Sequence, residues 1–177
     1  MAESRRLDAS SFRGLAHPLR LRLLDLLRLE GPSNSTQLAK RVGESTGTVS
    51  WHLRQLAQHG FIEEDPGHES KRERWWRAPV RAGVFDTEEA GDAAVEPIEE
   101  LLRHNFDRVS RHLRSDVPDE WRNVGTISDW SQLRLTPSQA TALTAELSGV
   151  VERYLNTEPA AGARAVVVQL QVFPASP

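Results

Sequence analysis

Ser45-Thr46-Gly47-Thr48-Val49-Ser50-Trp51-His52-Leu53-Arg54-Gln55-Leu56-Ala57-Gln58-His59-Gly60 is the stretch that decides the fold. Val49, Leu53 and Leu56 recur at i, i+4 and i+7, so a helix over them has one apolar face. Ser45 or Thr46 can cap its start, and Gly60 suits a left-handed position just past its end. A step of about 100° per residue sets Gly47, Trp51, Arg54 and Gln58 opposite the apolar face, with Thr48 and Gln55 alongside. That outer face carries hydrogen-bonding groups, one Arg, one large aromatic and no acid. Nothing on it repels a phosphate backbone.

Upstream, a short helix is expected over roughly Ala9 to Leu15. His17-Pro18 breaks it, and Pro18 suits the first turn of the next helix, where its missing N–H is not needed. Leu19, Leu23, Leu26 and Leu27 follow at helical spacing until Gly31-Pro32. Asn34 to Gln37 can form a capping box, with Ser35 as the competing cap. The third helix turns Leu38, Ala39 and Val42 inward and stops at Gly43. Downstream of Gly60 the period changes. Phe61-Ile62 begins a strand, Pro66-Gly67 turns it, and Arg74 to Ala78 returns, with His68, Lys71 and Arg72 in the loop. Alternation on the return strand should send one of Trp75 and Trp76 to the core.

Two short helices, a turn, a third helix and a basic-tipped hairpin are the parts of a winged helix-turn-helix, an α+β fold. Its outer helix enters the major groove of double-stranded DNA. The expected base and backbone contacts are Thr46, Thr48, Ser50, Trp51, Arg54 and Gln55. The expected phosphate contacts are Lys71, Arg72 and Arg74. Each has a plainer alternative. Ser50 lies toward the flank and can bond within its own turn; Trp51 can cover the neighbouring helix; the wing residues can form a solvated loop. His52 lies beside the apolar face and reads as an internal residue.

The whole chain of 177 residues carries 22 Lys+Arg, 25 Asp+Glu and no Cys. The missing Cys excludes disulfides, thiolate metal sites and a Cys nucleophile. The start is charged, and no apolar run follows it to serve as a signal peptide or membrane span, so a cytoplasmic protein is expected. Residues 1–82 hold 14 basic and 10 acidic residues, whereas residues 83–177 hold 8 and 15. A basic half of net +4 joined to an acidic half of net −7 suits a polyanion partner for the first half only. The expected domains are residues 1–82, which bind DNA, and residues 83–177, a region for dimerisation and a candidate for effector binding. No P-loop, dinucleotide fingerprint, nucleophile elbow or metalloprotease helix occurs, so no enzyme is expected. A winged helix used for protein–protein contact is the alternative, and it would call for an acidic or apolar outer helix.

In the second half, Ile98, Leu102, Phe106, Val109 and Leu113 form an apolar stripe on a helix expected from about Pro97 to Leu113. Leu133 and Leu135 suggest a short strand. Thr136-Pro137-Ser138-Gln139 is a helix start, with a Thr cap, Pro first and Gln third. That helix should end near Asn156. Val166, Val168, Leu170 and Val172 alternate through Ala165 to Phe173, the pattern of a strand. A helical dimerisation segment and a small α/β unit are the result. Trp121, Trp130 and Tyr154 are its core or pocket aromatics.

Leu15-Ala16-His17-Pro18-Leu19-Arg20, Gln37-Leu38-Ala39, Val49-Ser50-Trp51-His52-Leu53-Arg54-Gln55-Leu56 and Gly60-Phe61-Ile62 resemble, in order and spacing, the ArsR/SmtB-like winged-helix repressors. The resemblance covers roughly residues 10–80. It implies a dimeric transcriptional regulator, most often a repressor, released from DNA by a metal or another effector. The chain departs from the family where metals are sensed. It lacks the cysteines of the thiol-based members. Glu100, His104 and Asp107 are the nearest counterpart to the Asp and His ligands that other members place on the last helix, without the same spacing. With Arg111 they read as exposed ion pairs. No metal site and no cofactor are expected.

Overall fold

The computed structural model describes residues 5–7, 11, 14–68, 73–79, 83–85, 95–122 and 124–175. The chain divides into two compact units, Met1–Asp107 and Arg108–Pro177.

The first unit begins with strand β1 (Arg5–Leu7). Residues 11, 14 and 15, the described part of the first expected helix, are helical. Helix α1 (Pro18–Leu29) follows, and its cap is the His17 side chain: Nδ1 accepts from the Leu19 N–H at 3.1 Å. Strand β2 (Ser33–Asn34) leads into helix α2 (Ser35–Val42). Asn34 Oδ1 accepts from the Gln37 N–H at 2.9 Å, so Asn34 and not Ser35 is the cap. Gln37 Oε1 accepts from the Ser33 hydroxyl at 3.0 Å instead of reaching back to the Asn34 N–H. Gly43 ends α2 at φ 77°, a conformation that favours glycine. Helix α3 (Thr46–Gln58) comes next, capped by Ser45, whose Oγ accepts from the Thr48 N–H at 3.1 Å. Gly60 takes φ 67° just beyond its end.

Strands β3 (Glu63–Glu64) and β4 (Trp75–Arg77) pair antiparallel, Glu63 with Arg77 and Glu64 with Trp76. β2 joins the other side of β4, giving the order β2-β4-β3. The sheet is therefore three-stranded where the sequence suggests a hairpin. Strand β5 (Gly83–Phe85) pairs in parallel with β1. Leu23, Leu24, Val49, Leu53 and Leu56 are the most deeply buried side chains, and Leu21, Leu27, Leu38, Phe61, Ile62 and Trp76 close the core around them. At about 25 cal/mol per Å² of apolar surface, this contiguous cluster is what holds three short helices that would not persist alone.

Helix α4 (Val95–Leu113) is amphipathic. Its Ile98 and Leu101 pack on the core just described. His104 departs from expectation. Its Nε2 meets Asp25 Oδ2 of α1 at 2.7 Å, and both side chains are largely buried. It is therefore a tertiary link and not part of a solvated triad with Glu100 and Asp107. Glu100 pairs with Arg103 at 3.0 Å. Among the described residues, no three His, Asp or Glu side chains cluster to hold a metal ion.

The second unit contains a single 3-10 turn (Asp119–Trp121) and helix α5 (Pro137–Leu155) among its described residues past α4. α5 starts as the sequence indicates. Thr136 Oγ1 accepts from the Gln139 N–H at 3.3 Å, and Gln139 Oε1 accepts from the Thr136 N–H at 2.9 Å. The strands expected around Leu133–Leu135 and over Ala165–Phe173 are not formed; both stretches are irregular. A strand exists only with a ladder partner, and neither stretch has one among the described residues.

Candidate nucleic-acid interface

The outer face of α3 is built by what lies beneath it. Val49, Leu53 and Leu56 are each fully buried, which fixes the rotation of the helix about its axis. Thr46, Thr48, Trp51 and Arg54 are consequently exposed, and Ser50 and Gln55 lie half-buried at the flanks. The Thr48 hydroxyl lies 2.8 Å from the Ser45 hydroxyl, so the cap also positions Thr48. Arg54 Nε donates to the Ser50 carbonyl at 3.1 Å, leaving the rest of its guanidinium fork outward. Gln55 Nε2 reaches Gln58 Oε1 at 3.5 Å. Trp51 is 50% exposed; its other half meets the His52 ring edge-on at 4.8 Å between centroids.

His52 is buried and its ring lies 4.5 Å from that of His17. Burial lowers the pKa of both imidazoles, and the nearby Arg20 guanidinium lowers them further. Both rings are thus favoured in the neutral form. This suits His17, whose Nδ1 must stay unprotonated to cap α1.

The wing is less basic in space than in sequence. Lys71 and Arg72 lie outside the described residues. Arg74 is exposed but pairs with Glu64 at 3.1 Å and lies 6.0 Å over the Trp76 ring. Arg77 pairs with Glu63 at 2.7 Å. At the turn His68 stacks on Trp75 at 3.9 Å and contacts Asp65 at 2.5 Å. That hydrogen bond holds the Asp65 carboxyl below the usual carboxylate range. Trp76 is the core tryptophan and Trp75 the outer one.

One basic residue passed over in the sequence is Lys40 on α2. It is exposed and, among the described residues, forms no ion pair. One of only two lysines in the chain, it stands out by composition but not by periodicity.

Residues 15–65 match the helix-turn-helix domain family. This segment, with its wing, is a winged helix-turn-helix. Solved structures similar to the chain include the homodimeric winged helix-turn-helix DNA-binding domain (fragment 1–100) of a possible ArsR-family transcriptional regulator from Mycobacterium bovis. It is 21% identical, with 61% of this chain and 81% of that one covered, at a TM-score of 0.37. The transcriptional repressor BigR from Xylella fastidiosa is 21% identical over 62% and 88% of the two chains, at a TM-score of 0.39. An ArsR-like transcriptional regulator from Rhodococcus is 23% identical over 60% and 86%, at a TM-score of 0.35. No curated protein matches the chain. Among the described residues no helix is long and apolar enough to cross a membrane.

Outside the winged helix-turn-helix, the three aromatics suggested for an effector pocket are not enclosed. Trp130 and Tyr154 are exposed and Trp121 is half-buried. The groove lined by Glu99, Leu102, Arg103, Phe106 and Asp107 is one face of α4.

Proposed function

We propose that the protein is a sequence-specific DNA-binding transcriptional regulator, acting as a dimeric repressor of the ArsR-like type. The observation that carries this reading is the outer face of α3. It presents Thr46, Thr48, Trp51 and Arg54 to solvent, has no acid among residues 46–58, and rests on side chains buried completely. In the groove, Arg54 offers two parallel N–H donors to a guanine edge, and Gln55 can bond adenine. Trp51 supplies apolar contact to a thymine methyl or a sugar. Thr46, Thr48 and Ser50 reach phosphates or base edges near the start of the helix. Lys71, Arg72 and Arg74 neutralise phosphates beside the wing, Arg74 by exchanging Glu64 for a phosphate oxygen. In this reading residues 1–82 bind DNA and residues 83–177 serve dimerisation and any effector.

A dimer is favoured by Leu102, Phe106 and Leu113 of α4, which stand 40%, 71% and 69% exposed. Such a stripe must be covered. Two copies read half-sites about one helical turn apart, roughly 34–36 Å, and only together reach the contact area of a tight specific complex. Bound over a promoter, the dimer blocks polymerase by occupancy. With no Cys in the chain, release cannot use a thiolate sensor.

Genome-wide recovery of bound fragments, followed by fluorescence anisotropy, tests this. The recovered duplex should bind about 10³-fold or more tightly than a random one at physiological salt. Equal affinity for both duplexes, or none for either, refutes it, and the latter with a captured protein partner would favour a protein-interaction module.

A further inference from the structure

Among the described residues of the second unit, no side chain is buried. A unit that carries this many apolar residues without a core of its own is completed by something else. The C-terminal stretch shows this most sharply. Residues 165–173 read Ala-Val-Val-Val-Gln-Leu-Gln-Val-Phe, rich in β-branched side chains and alternating. Yet among the described residues 164–175 make no backbone–backbone hydrogen bond. Val166, Val167, Val168, Leu170, Val172 and Phe173 are 41–75% exposed.

We propose that residues 165–173 of two copies pair as antiparallel strands about a two-fold axis through Gln169, so that this strand exists only in the dimer. The inference rests on the dimer reading above and gives it a second seam. Three observations choose a second copy as the occupant. The first is area. The six side chains leave on the order of 600 Å² open per chain over the two faces of the stretch, and side-by-side pairing with a second copy covers the part of each that lies toward its cross-strand neighbour. The second is charge. Arg164 is the single charged side chain in residues 163–177. Antiparallel pairing sets the two copies of it about 30 Å apart at opposite ends of the ribbon, whereas parallel pairing would set them side by side. The third is register. With Gln169 on the axis, Val166 faces Val172 and Val168 faces Leu170 across the pair, so one apolar face stays continuous. Pro174 then stops the ladder, since it has no N–H to donate.

The Cys-free chain makes the test direct. Single-Cys variants Q169C and A165C of the full chain are purified, sized by light scattering and mildly oxidised. At the axis the two Cα atoms would lie about 4.5–5.5 Å apart, within disulfide reach; at residue 165 they would lie more than 20 Å apart. Q169C should therefore cross-link at least about tenfold faster than A165C. A dimer that cross-links equally at both positions, or at neither, overturns the strand pairing and leaves the dimer intact. A monomer at every concentration overturns both readings. Should a variant fail to fold, hydrogen exchange of the natural chain decides. Protected amides over 165–173 that lose protection on dilution support the pairing; amides unprotected in a proven dimer refute it.

Discussion

Leu53 and Trp51 sit two residues apart on α3, and truncating each to alanine should damage different properties. Leu53 is fully buried between α3 and the rest of the core. Leu53→Ala removes its packing and leaves a cavity, at a cost of about 2–5 kcal/mol. For a cooperative unit of this size each kcal/mol lowers Tm by roughly 4–8 °C, so a fall of roughly 8–40 °C is expected by circular dichroism. Trp51 is half-exposed and packs on His52 with its other half. Its open half amounts to on the order of 100 Å² of mostly apolar surface, worth at most about 2–3 kcal/mol if a duplex covers it. Trp51→Ala should thus weaken DNA binding by about 30- to 100-fold by anisotropy, and lower stability by roughly 1 kcal/mol or less. The double comparison tests the rotation of the helix, which everything about the interface depends on. Should Trp51→Ala melt the protein while sparing DNA affinity, and Leu53→Ala do the reverse, the face assignment is wrong.

Arg54→Ala should relax preference at one base pair by about 1–3 kcal/mol in competition with mismatched duplexes; a uniform loss on all sequences would make it a backbone contact. Arg72→Ala should reduce the slope of log Kd against log salt by about 0.9, and an unchanged slope would remove it from the phosphate contacts. Asn34→Ala should cost about 1–2 kcal/mol in urea unfolding. It deletes the cap of α2 and the 2.8 Å bond that Nδ2 donates to Glu73. Stability should also depend on pH through His17 and His52. Their folded pKa values are lowered by burial and by Arg20, against opposing influence from Glu100 on His17 and Glu44 on His52. The unfolded chain then binds more protons, so this stability is fully present above about pH 6.5 and is lost as pH falls below it. H52Q should melt with a shallower dependence between pH 7 and 5, and parallel profiles for the two proteins would contradict this.

Much of the first unit was legible because its signals are local. The caps at Asn34 and Ser45, each one of two candidates in the sequence, lie within three residues of the N–H groups from which they accept, and the period of Val49, Leu53 and Leu56 turns their neighbours outward without reference to any other segment. The outer positions Thr46, Thr48, Trp51 and Arg54 follow from that period. Alternation likewise predicts that one of Trp75 and Trp76 is buried. Which one depends on pairing with β2 and β3, and no pattern within β4 contains that information.

Three features were beyond local reading for the same reason. His104 meets Asp25 across 79 residues, so spacing along α4 could suggest only its helical neighbours Glu100 and Asp107. Two-residue β2 is too short for a period and exists because β4 passes beside it. Arg74 reads as a free cation until the sheet sets Glu64 against it.

The sequence by itself determined the helices, a short choice of caps for α2 and α3, the capping box of α5 and which face of α3 turns outward, because hydrogen bonds and side-chain periods within a few residues are written in consecutive letters. Only the tertiary structure decided which tryptophan is core, that His17 lies against the buried His52 ring, and that 165–173, for all its β pattern, has no strand partner among the described residues. Ladders and buried pairs join residues far apart, and their free energy depends on what stands opposite, which no local pattern records.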